Sequence, residues 1–127
     1  MKIKEISYLD PLVDLENDCL DVFVTLENDE DYLIEVTTPE FFYTLMEKFK
    51  KNFVPPGYPY IIVSKLTDDI IRAAIQSYID KEEDSYWLKL YHITATLKIE
   101  DINEILDRKE KEDIELEAKI EAEIEGE

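Results

Sequence analysis

The chain has two glycines, one cysteine and one histidine among 127 residues, and each scarcity removes a class of chemistry. A phosphate-cradling loop needs several glycines to let the backbone approach a nucleotide, and Gly57 and Gly126 cannot supply one. A lone cysteine, Cys19, closes no internal disulfide, which fits a reducing cytoplasm. A lone histidine, His92, rules out multi-histidine metal sites and leaves a Cys-His pair only if Cys19 lies beside it. Cations are short too: 14 Lys and Arg face 32 Asp and Glu, a formal net charge of −18. Nucleic-acid phosphates and anionic lipid both require lysine and arginine to displace counterions, so neither is an expected partner. No run approaches the ~18 apolar residues of a spanning helix, and the opening MKIKEISYLDPL carries no apolar targeting core. The expectation is a cytoplasmic protein with no membrane association. A basic partner suits the charge, although acidity also serves simply to keep a protein in solution.

What is present is organised around Pro55 to Ile79. Pro55, Pro56 and Pro59 fix φ, and Gly57 is free to take a positive one, so the chain enters Tyr60 to Val63 in an extended direction. That run is apolar on both faces and too short for a helix, which predicts a central strand. Thr67 is placed to cap a helix whose first turn holds Asp68 and Asp69, and Ile70, Ile71, Ala74, Ile75, Tyr78 and Ile79 repeat at helical spacing.

Upstream, Lys2 to Leu9 reads as a strand whose imperfect alternation calls for a bulge. Asp10 to Asp18 is a polar connection around Pro11, with Leu12, Val13 and Leu15 over the core. Leu20, Val22, Val24 and Leu26 alternate with Cys19, Asp21, Phe23 and Thr25, and Tyr32, Ile34 and Val36 resume after a turn, which predicts a β-hairpin. Thr38-Pro39-Glu40 opens a helix with Phe41, Phe42, Leu45, Met46 and Phe49 as its buried row. Ser85 to Ile93 fits either a short helix capped by Ser85 or a strand. Residues 101 to 112 read as a helix with Glu104–Arg108 and Asp107–Lys111 spaced for ion pairs. In 113 to 125 every even position is apolar or alanine and every odd one charged, a period of two set against the helix preference of Glu, Ala and Lys. As a strand this segment would seek a sheet edge and could join two copies.

These elements predict an α+β fold: an antiparallel-rich sheet of about four strands (near 2–9, 19–27, 31–37 and 60–65), covered on one face by two main helices at 39–51 and 68–80. The domain spans 1–99, and 100–127 forms an acidic C-terminal segment. Those last residues hold 13 acids against 4 bases, net −9, half of the total charge.

No constellation makes a strong catalytic signature, and no cofactor or metal is expected. Asp14, Glu16 and Asp18 have calcium-loop spacing, yet Cys19 and Thr25 stand where such a loop needs glycine and glutamate. Asp21 and Glu35 could form a carboxylate pair, but Thr37 replaces the lysine that a nuclease of that type would carry. Two aromatic segments flank the central unit and lie near acids. Phe53, Tyr58, Tyr86 and Trp87, with Asp80, Glu82, Glu83 and Asp84, form the candidate partner-binding set, the alternative being that the rings fill the core.

Strand, acidic hairpin, Val36-Thr37-Thr38-Pro39 opening a helix, Ile61-Ile62-Val63, the helix Ile70 to Ile79 and an acidic break before Trp87 together resemble the immunity protein 8 family of bacterial polymorphic-toxin systems. Pro56 to Val63 and Tyr86 to His92 are also similar to a pattern in small bacterial proteins. The likeness covers residues 2 to 93 and implies a domain that neutralises a cognate toxin without enzymatic activity. Two other expectations are a small enzyme using Asp21 and Glu35, and a nucleic-acid mimic with acids ranged along one ridge.

Overall fold

The computed structural model describes residues 1–9, 14–57, 59–125; Pro11, Leu12, Val13 and Tyr58 lie outside the described residues, and Leu15, expected over the core, is exposed. The chain divides into two units, Met1–Ala95 and Thr96–Glu127. In the first, β1 (Ile3–Tyr8), β2 (Cys19–Leu26), β3 (Asp31–Thr37) and β4 (Tyr60–Ile62) form one sheet in that order. Both pairings of β2 are antiparallel, whereas β4 runs parallel to β3, so the sheet is mixed. The expected bulge lies in β1, where the register with β2 shifts between Ile3 and Glu5.

The hairpin follows the alternation in the sequence. Leu20, Val22, Val24, Leu26, Tyr32, Ile34 and Val36 are buried on one face. Its turn uses Asp29 in the left-handed region (φ 66°), a conformation that short polar side chains tolerate. Lys4 reaches across from β1 to Asp29 at 2.5 Å.

Two helices cover that buried face. In α2 (Asp68–Asp80) the isoleucines Ile71, Ile75 and Ile79 enter the core, and Thr67 accepts the Ile70 N–H as its cap. The second covering helix is α3 (Tyr86–Thr94), which buries Leu88; helix therefore prevails over strand for this segment. Ser85 does not cap it with its side chain and instead follows Asp84 in a left-handed conformation, both at φ 57°.

The helix expected in that layer, α1 (Pro39–Phe49), has no buried residue, and Phe49 is 50 % exposed. Its Phe42 meets Tyr60 edge-on at 5.5 Å, and Tyr60 alternates with the buried Ile61, so α1 touches the opposite face of the sheet. Thr38 precedes α1 without capping it; its hydroxyl donates to the Glu16 carbonyl at 2.5 Å instead.

The strand β4 is an edge strand, not a central one. The run is apolar on both sides, but Ile61 and, just past the strand, Val63 enter the core while Ile62 is exposed. Gly57 does not use a positive φ. What glycine supplies there is room, because a Cβ would stand 3.3 Å from the Tyr60 hydroxyl.

The second unit is α4 (Ile99–Glu125), helical throughout the alternating segment and without a buried residue. Helix propensity prevails over the period of two, since Glu, Ala and Lys extend an already nucleated helix at little cost. The Asp101 carboxylate accepts the Lys98 N–H at 3.0 Å and so closes the first turn. Arg108 reaches forward to Glu112 at 3.7 Å rather than back to Glu104. With no strand in this segment, dimerisation through its sheet edge has no structural basis.

Candidate functional site

Of the candidate set, Glu82, Glu83, Asp84, Tyr86 and Trp87 gather where α2 turns into α3. A 3-10 turn, Glu83–Ser85, joins the two helices. Because Asp84 and Ser85 are both left-handed, the chain reverses within two residues and sets Tyr86 and Trp87 at the start of α3. These rings touch edge-on at 5.5 Å. Tyr86 is 52 % exposed, Trp87 is half-buried, and Glu82, Glu83 and Asp84 are all exposed.

Two grooves flank this ring pair. One, about 260 Å³, is lined by Glu83, Asp84, Tyr86, Lys89, Leu90 and Ile93. Lys89 closes part of it through an ion pair with Asp84 at 2.9 Å. The other, about 450 Å³, is lined by Ser77, Tyr78, Lys81, Trp87 and Tyr91. Its floor holds Tyr78 edge-on to Tyr91 at 5.1 Å. Burial, and then a hydrogen bond with Tyr91, push the Tyr78 phenol up to about 12, so it is a neutral packing group. The indole N–H of Trp87 is buried and finds no acceptor among the described residues.

Asp80 and Phe53 are not part of this grouping. The Asp80 carboxylate accepts from Gln76 at 3.0 Å and faces a separate cleft of about 580 Å³ beside Met1, Lys2 and Arg72. Phe53 is exposed under the Lys51 ammonium, 5.8 Å from its ring centre. No hydrogen bond, ion pair or ring contact among the described residues joins it to Tyr86 or Trp87. Tyr58 lies outside the described residues. Sequence spacing could not supply the groove residues Tyr78 and Tyr91, because two helices and a turn bring them together.

The carboxylates Asp21 and Glu35 do meet. They are direct cross-strand partners on the sheet face opposite the core, between Phe23 and Leu33 on one side and Cys19 and Thr37 on the other. Burial first, then the neighbouring Asp21 charge and a hydrogen bond that the protonated Glu35 donates to that side chain, raise the Glu35 carboxyl above its usual range. One of its oxygens is buried with no hydrogen-bond partner among the described residues. Burial also lifts the Cys19 thiol to about 12, helped by Glu35 and Asp21, and a thiol held protonated is a poor nucleophile. The pair lines none of the three clefts described above.

His92 is occupied elsewhere, accepting the Leu33 backbone N–H. Cys19 pairs with Thr37 at the far end of β3, so no Cys-His pair forms. In the calcium-like stretch Asp14 accepts the N–H groups of Glu16 and Asn17 at 3.0 and 3.1 Å, and Glu16 pairs with Lys65. Among the described residues no cluster of three or more histidine, cysteine or acidic side chains could hold a metal ion, and no helix is long and apolar enough to cross a membrane.

Comparisons with protein families, curated proteins and solved structures found no match for this chain.

Proposed function

We propose that the protein is a non-catalytic acidic module that binds a basic protein partner through the turn between α2 and α3, in the manner of an immunity protein that neutralises a toxin. The observation that carries this reading is the juxtaposition at that turn: an exposed Tyr86 stacked edge-on against Trp87 and rimmed by Glu82, Glu83 and Asp84. Aromatic anchors inside a charged rim suit a protein interface, the rings supplying contact area and the charges steering a cationic partner. With a net charge of −18, encounter with a basic surface is accelerated at low salt.

A second reading, a small enzyme using Asp21 and Glu35, is favoured by their contact and by the raised Glu35 carboxyl. It lacks a cleft around the pair, and a buried cross-strand carboxylate pair shares a proton for structural reasons alone. The acids of α4 do not favour a nucleic-acid mimic, since at 100° per residue they fall on every side of the helix instead of one ridge.

The test is recovery of partners from the host on the tagged full chain, followed by binding measured at low and high salt. We expect a basic protein whose affinity falls with salt and drops at least about 30-fold in Trp87→Ala or Tyr86→Ala, as hot-spot rings do. A recovered partner that is acidic, or one indifferent to both salt and these substitutions, would defeat the proposal.

A further inference from the structure

The apolar side chains of α4 form a row that nothing in its own unit covers. Ile99, Ile102, Leu106, Lys109, Asp113, Leu116 and Ile120 follow one another at alternating steps of three and four, the spacing that holds a row on one side of a helix. The apolar members are all exposed, from 39 % at Ile102 to 63 % at Ile99. A helix of 27 residues, about 40 Å long, therefore presents isoleucine and leucine to solvent at both ends of the row and a lysine and an aspartate in its middle.

We infer that this row is an interface for α4 of a second copy, lying antiparallel. The charge pattern selects the occupant and its direction. Antiparallel packing about a midpoint at Lys111 sets Leu106 against the partner's Leu116 and Ile102 against the partner's Ile120. In the same register Lys109 faces the partner's Asp113, and by symmetry Asp113 faces the partner's Lys109. Every central position meets a complement. Ile99 meets the partner's Glu123 at the open end, where a glutamate stem can lie along the apolar row with its carboxylate in water. A parallel pair would instead set lysine on lysine and aspartate on aspartate, which a packed seam penalises. The inference rests on α4 alone, and does not depend on which residues bind a heterologous partner.

The net charge of −9 on each segment opposes association, so the test uses the full chain at about 0.3 M salt, where screening is short-ranged. Sedimentation equilibrium should show a monomer–dimer equilibrium at tens of micromolar. Lys109→Asp carries acids at both central positions and Asp113→Lys carries lysines at both. Each alone should dimerise at least about tenfold more weakly, because two like-charge contacts replace two complementary ones. An equimolar mixture of the two variants should recover wild-type affinity, with helix content by circular dichroism unchanged in each. The mixture guards against misfolding, since a damaged helix would not recover. A wild-type chain that stays monomeric at about 200 µM overturns the inference. So does a mixture that fails to recover, and so do single variants as strong as wild type, the result a parallel pair would give.

Discussion

The backbone N–H of Leu33 on β3 donates to the Nδ1 atom of His92 on α3 across 3.0 Å. The same imidazole stands edge-on to Tyr32 at 5.2 Å. Strand β4 pairs with β3 only from Glu35 to Thr37, so His92 supplies a side-chain acceptor farther along the same edge. The lone histidine is thus accounted for by structure, as a clasp between a helix and an edge of the sheet. Replacing it by leucine keeps bulk but removes the acceptor. We expect His92→Leu to cost about 1 kcal/mol, the usual net value of such a bond where water can partly replace it. Chemical denaturation measures the cost, and faster exchange of the Leu33 amide should accompany it.

Glu35 predicts a pH dependence with a definite sign. Its folded-state carboxyl is raised, first by burial and then by Asp21, so folding favours the protonated form. The stability from this group is complete below the ordinary carboxylate range and is lost as pH rises through the folded-state value. Glu35→Gln keeps the neutral form at every pH and can donate its amide to Asp21. It should stabilise the protein at pH 7 by about 0.5 kcal/mol, the scale of a cross-strand like-charge pair, and give no gain near pH 3. Thermal melts of both proteins across that range decide it.

The core and α1 should respond differently to truncation. Ile75 is fully buried among sheet residues, so Ile75→Ala should cost about 2 to 5 kcal/mol through lost burial and an unfilled cavity. Phe49 removes as much bulk but is half exposed. Phe49→Ala should therefore cost less than about 1 kcal/mol, as surface changes do. Equal losses in denaturant unfolding would show that α1 is an integral part of the core.

Asp84 sits at φ 57°, where a side chain costs roughly 1 kcal/mol relative to glycine. Its ion pair with Lys89 is largely exposed and worth little. Asp84→Gly should thus leave stability unchanged or raise it by up to about 1 kcal/mol. The same change should slow association with a basic partner, which stopped-flow mixing at low salt would show.

Among the described residues, all that are buried in the core lie before Ala95. A chain ending at Ala95 should unfold cooperatively with a midpoint within about 4 °C of the full protein, the shift that a change of under 1 kcal/mol produces at this size. Loss of the sigmoidal transition would refute this.

Alternation made the hairpin and its core face legible, and with the hairpin came the meeting of Asp21 and Glu35. The isoleucine spacing, the Thr67 cap and the first-turn aspartates likewise marked α2. Other features depended on contacts that no local pattern carries. Ile62 looks like a core residue until β4 is seen to be the last strand, and the Phe41 to Phe49 row looks buried until α1 is found on the less covered face. His92 reaches Leu33 across 59 residues, a distance at which spacing is silent. In the tail, period and propensity pointed in opposite directions, and an established helix costs little to extend. At the candidate interface the acids and rings were visible in order, but the left-handed pair Asp84 and Ser85 decides which of them share a surface.

The shortness of β4 has a bearing on self-templated growth. A mixed sheet with two free margins is open to strand addition by another molecule, the first step toward fibrils. Here one margin is three residues long and is preceded by Pro55, Pro56 and Pro59, none of which has an N–H to offer an incoming strand. The other, β1, carries Lys4 at a bulge that breaks its register. A newcomer would find few consecutive donors and acceptors at either margin. Such a chain can keep a strongly β-branched hairpin in its interior and still survive at high concentration without assembling through its backbone.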